Sequence, residues 1–103
     1  MHVFLAATIF ALTPSALASS HGAYAGATVS VSGVVERIHY GRGRHAYAAY
    51  DLCDASANCV RVVHFGAAVI TPGEMQTATG MFRRTVFVGD AHVQNAIVIG
   101  PRR

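Results

Sequence analysis

Apolar and polar side chains alternate from residue 28 onward, most densely between His45 and Phe65. Ala46, Ala48, Tyr50 and Leu52 fall on one parity, and His45, Tyr47, Ala49 and Asp51 on the other. That period of two is the signature of a half-buried strand. The return segment repeats it, with Val60, Val62 and His64 opposed to Arg61, Val63 and Phe65. Between the two runs lies DASAN, small turn-forming residues that close a hairpin. Cys53 and Cys59 flank this turn at positions that oppose each other across the strands. The pattern predicts Tyr50 in the core and Tyr47 and Arg61 pointing outward.

The flanking segments read as further strands. Val29 and Val31 alternate with Thr28, Ser30 and Ser32, and Gly33 then breaks the run. A glycine inside a strand marks a bulge or bend, which a long first strand serving two sheets requires. GAAVITPG, residues 66–73, predicts a single helical turn or an irregular connector ending in a Pro72–Gly73 turn. Glu74 to Arg84 alternates as a strand, Thr85 to Val88 is β-branched and aromatic, and Gly89–Asp90 offers a turn. His92 to Ile99 is the last strand. No internal repeat is present, nor an amphipathic helix of useful length.

The N-terminus follows a different pattern. An apolar run from Val3 to Leu12 is followed by Pro14 and then Ala16-Leu17-Ala18, a small-x-small cleavage signal. Residues 1–18 therefore read as an export signal peptide, although His2 stands where Lys or Arg is usual. The run is too short to span a bilayer, so no transmembrane anchor is expected. Residues 19–27, SSHGAYAGA, read as a flexible lead-in, residues 28–100 as one domain and residues 101–103 as a basic tail. The leader inflates the apolar fraction of 52%. About 85 residues remain, enough for one small domain. The expected location is periplasmic or secreted. There Cys53 and Cys59 are expected to form a disulfide, contributing about 2 kcal/mol on the chain-entropy model.

Charge adds one candidate site. All eight basic residues are arginine, and five acids leave a net charge of +3. In HYGRGRH, residues 39–45, two glycines, Gly41 and Gly43, alternate with Arg42 and Arg44. The loop reads either as an anion-binding element or as a solvated hairpin turn. Five histidines follow the leader, and Met75 and Met81 offer thioethers, but no tight spacing defines a metal site. No metal and no cofactor are expected. His64 reads as a hydrogen-bonded barrel histidine, and the methionines as core filler. Catalysis finds no support: Asp51 and Asp54 belong to different elements, Asp54 suits a turn, and Ser56 has no nearby base.

Five strands in this order resemble an OB-fold barrel. The segments VSVSGVV, YDLCDASANCVRVVHF, TPGEMQTATGMFRR and AHVQNAIVI are similar to nucleic-acid-binding OB domains, over residues 28–99. The leader and the cysteine pair depart from the cytoplasmic members. The resemblance implies an all-β fold, a small five-stranded Greek-key OB-fold barrel following the leader. It implies a ligand lying across the second and third strands, between loops near residues 41–44 and 88–91. Carried onto this chain, the binding residues are Arg42, Arg44, His45, Tyr47, Arg61 and Val63, with Phe65 if the strand runs unbulged. The function implied is an exported module that holds single-stranded nucleic acid or a similar anionic ligand by aromatic stacking and arginine contacts. The alternative is a periplasmic envelope or stress domain that binds a partner protein or a small cationic or metal ligand.

Overall fold

The computed structural model describes residues 8–41, 46–89 and 91–100. In chain order the elements are β1 (Ile9–Leu12), α1 (Pro14–Ser19), α2 (His21–Tyr24), β2 (Thr28–Gly41), β3 (Tyr47–Cys53), β4 (Cys59–Phe65), β5 (Met75–Val88) and β6 (Ala91–Ile99). The strands form one sheet whose pairings run β1–β2–β3–β4–β6–β5 and return from β5 to β2. Strands β2 to β6 thus complete a circuit, with β1 attached outside it. All circuit pairings are antiparallel except β4–β6, which is parallel from Arg61↔Ala96 to His64↔Ile99.

Strand β2 makes this closure possible. Its first half pairs with β5 and its second half with β3, and Val34 faces both Met75 and Cys53. Gly33 stands at the crossing. A Cβ there would lie 2.8 Å from the backbone nitrogen of Cys53, so only glycine lets the strands approach. Gly33 therefore marks where β2 passes from β5 to β3, while the bulge comes a few residues later. The register slips between Glu36 and His39, and Arg37 adopts φ 53°, in the left-handed region.

The central hairpin has the expected register, from Tyr47↔Phe65 to Cys53↔Cys59. The two cysteines are disulfide-bonded. Asp54 organises the turn: its Oδ1 accepts from the backbone N–H groups of Ser56 at 2.9 Å and Asn58 at 3.0 Å. The connector after β4 is irregular rather than helical and turns at Pro72–Gly73.

Inward parity positions build the main core: Val29, Val31, Val35, Tyr50, Leu52, Val60, Val62, Ala78, Phe82 and Ile97. A second cluster holds Val63, Val86, Val88, Ala96 and Val98. Val86 and Val88 share Phe82's parity yet pack in this second cluster, so the distal half of the β5–β6 hairpin turns onto the outer side of β4. Asn95, at φ 54°, lies where β6 makes this turn.

Two expectations are corrected. The sheet has six strands rather than five, because Ile9–Leu12 pairs in parallel with Thr28–Val31. The segment 19–27, expected to be a flexible lead-in, contains the end of α1 and the turn α2. The local reason is helix-start chemistry. Thr13 caps α1 by accepting from the Ala16 N–H at 3.0 Å, and Pro14 occupies the first turn.

Candidate ligand-binding face and cavity

Tyr47, Arg61, Val63 and Phe65 lie on the outer side of the β3–β4 hairpin, as alternation requires. Arg42, Arg44 and His45 lie outside the described residues. The face is not uniformly open. Val63 is completely buried, because Val86, Val88, Ala96 and Val98 cover it. Its expected place in a ligand surface is corrected to a place in the second cluster. The physical cause is the turned-over β5–β6 hairpin, which gains apolar burial by covering that valine. Tyr47 and Phe65 remain half-buried at the edge of this cluster, beside Val93. The Tyr47 ring lies 6.2 Å from that of His39, forming an aromatic rim.

At the other end of the face, Asp51 carries the electrostatics. It is only 6% exposed, and both of its oxygens are engaged. Oδ2 accepts from Arg37 Nε at 2.8 Å, and Oδ1 accepts from Arg61 Nε at 2.5 Å. The bulge in β2 brings Arg37 to this position. Its pKa is raised above the ordinary arginine value, first by the hydrogen bond to Asp51 and then by that carboxylate's charge. The Nη2 of Arg37 also approaches Cys59 Sγ at 3.4 Å and Cys53 Sγ at 3.9 Å, so the guanidinium lies over the disulfide. Glu36, paired with Asp51 across β2 and β3, also acts on Arg37 through its charge. Two guanidiniums and two carboxylates thus meet here, and Arg61 is the cation among them that borders the cavity.

Beside this group β4 and β6 diverge, since their pairing begins only at Arg61↔Ala96. The gap is a cavity of about 460 Å³. Its polar lining is His21, Asp51, Arg61, His92, Gln94 and Asn95, and Val60, Phe82 and Val93 supply apolar surface. The His21 ring packs 5.9 Å from that of Phe82. Asn95 is oriented by accepting from Arg84 Nε at 2.9 Å. Such a lining offers guanidinium and amide donors above an apolar floor, a combination suited to a planar or anionic group.

Of the expected site residues, Tyr47 and Phe65 meet at the rim, and Arg61 stands at the cavity. Sequence reasoning missed Arg37, His21, His92, Gln94 and Asn95 as neighbours of Arg61, and it gave Asp51 no role. The available signal was Asp51 itself, a carboxylate on the same parity as Tyr47 and directly opposite Arg61. His64 also departs from expectation: its Nδ1 is buried and has no hydrogen-bond partner among the described residues. Met75 and Met81 are exposed on β5 rather than buried as filler. Glu36, Cys53 and Cys59 lie close together, but the two sulfurs are bonded to each other and are not thiolate donors. No protein-family model matches this chain, and no curated protein matches it.

Proposed function

We propose that this chain is an exported OB-type binding module that holds single-stranded nucleic acid, or a similar anionic polymer, without covalent chemistry. The strand circuit β2–β3–β4–β6–β5, with β4 and β6 parallel, supports the OB assignment. The disulfide supports an oxidising, periplasmic or secreted location. Among the described residues, no helix is long and apolar enough to cross a membrane.

One observation carries the ligand reading. Arg61 is held by buried Asp51 on the same strand face as the Tyr47–Phe65 rim, with the polar cavity adjoining. Bases stack on the rim, and the remaining guanidinium N–H groups of Arg61 meet a phosphate or a base edge. The covered Val63 shortens the usable face, so the bound stretch is a few nucleotides.

Exposed Val69 and Phe87, 91% and 64% accessible, favour the second reading, a partner-protein surface in the cell envelope. Titration of a short labelled oligonucleotide by fluorescence anisotropy at two salt concentrations tests the first reading. Saturable binding that weakens with salt is expected, and absence of binding at low salt transfers support to the partner-protein reading.

A further inference from the structure

The segment expected to be an export leader is seated in the fold as a strand and a plug. Ile9, Phe10, Ala11 and Leu12 pair with Thr28, Val29, Ser30 and Val31 along the edge of β2 that β3 does not reach. After the Thr13 cap, Leu17 is completely buried in the main core with Val29, Val31 and Val60. Leu12 packs against the same core. Residues 8–19 contain no charged side chain.

The expected cleavage point, between Ala18 and Ser19, lies inside α1. A peptidase that binds its substrate extended cannot take this bond while the segment is seated. Docking and processing therefore exclude each other. A chain that starts near Ser19 presents an unpaired β2 edge and an apolar socket, the features that accept an added strand.

We propose that the Thr28–Val31 edge and the Leu17 socket form a strand-acceptor site. In a processed chain its occupant is residues 9–19 of a second, unprocessed copy. The recognition elements are a parallel main-chain ladder of four residues, an aliphatic Leu12 against the core, and a leucine five residues further on. The structure itself carries the choice of occupant, since this sequence already fills the site in register. The proposal does not rest on the nucleic-acid reading, because Tyr47, Phe65 and Arg61 are not part of the acceptor.

The test uses the full chain carrying Leu17→Asp, which releases its own segment, with folding checked by circular dichroism. A fluorescein-labelled peptide of residues 8–20 is titrated into it, and amide exchange at Thr28–Val31 reports the site. One-to-one binding with protection of those amides is expected. Binding should be weaker by about tenfold or more for the wild-type chain, for a Leu17→Asp peptide and for a scrambled peptide. Equal binding to both chains, equal binding of the scrambled peptide, or no binding to the folded variant overturns the proposal. If Leu17→Asp prevents folding, Leu17→Ala takes its place. Failure of both variants to fold also overturns it, because the segment is then an indispensable part of the core rather than an exchangeable occupant.

Discussion

Asp51 and Arg61 face each other across the β3–β4 hairpin, and the buried carboxylate accepts from the Arg61 Nε at 2.5 Å. Arg37 Nε engages the other carboxylate oxygen at 2.8 Å, so both oxygens of Asp51 accept from a guanidinium. The pair fixes one edge of the Arg61 guanidinium, and Arg61 lines the cavity.

Replacing Asp51 by Asn should separate positioning from attraction. The substitution keeps the shape but removes the charge shared by two arginines, and should cost about 1–3 kcal/mol of stability by urea unfolding. Local charge rises by one unit, so oligonucleotide binding should persist and its salt dependence should steepen. Loss of binding in still-folded protein would mean that the positioning of Arg61 by the carboxylate, rather than local charge, governs affinity.

Tyr50 gives an alkaline prediction with a definite sign. Burial raises its pKa above the ordinary 10.0 by penalising the phenolate. The folded state therefore holds this proton more tightly than the unfolded state. The associated stability is present in full below pH 10 and is lost as pH rises toward the folded value. Thermal melts from pH 8 to 11 should show a decline that is smaller in Tyr50→Phe; identical declines would place this ring outside the titrating set.

Val63→Ala should act on stability alone. The side chain lies beneath the second cluster, so truncation should cost about 2 kcal/mol and leave the oligonucleotide affinity of the folded protein within about twofold. A neutral effect on unfolding, with a clear loss of binding, would return Val63 to the ligand face.

Reduction of Cys53–Cys59 should lower the melting temperature without unfolding the domain, corresponding to about 2 kcal/mol. The Asp54 turn has its own hydrogen bonds and keeps the hairpin closed. Complete unfolding on reduction at room temperature would contradict this.

The central hairpin was legible in sequence because alternation and turn chemistry are local, and both agree from Tyr47 to Phe65. Gly33 was legible for the same reason, as a glycine within an apolar strand. Alternation assigns a face but not what covers it, so the burial of Val63 by Val86 and Val88 was hidden. The Arg37 bulge was hidden too: VVERI carries no glycine or proline to mark it, and a non-local ion pair to Asp51 accompanies the left-handed φ. Strand β1 lies within an apolar run whose composition suits an export leader equally well, and only pairing with Thr28–Val31 distinguishes a strand. The polar cavity joins residues from α2, β3, β4, β5 and β6, a set no spacing rule connects.

The most direct test of the binding account is the salt dependence of affinity for a short labelled single strand, compared among wild type, Arg61→Ala and Tyr47→Ala. If Arg61 neutralises one phosphate, Arg61→Ala should weaken binding and remove about 0.7 from the logarithmic salt slope. Tyr47→Ala should cost about 1–3 kcal/mol of binding with an unchanged slope, together with a modest loss of stability from the half-buried ring. Binding whose affinity and slope are unaltered in both folded variants, or no binding by the wild type at low salt, would contradict the account.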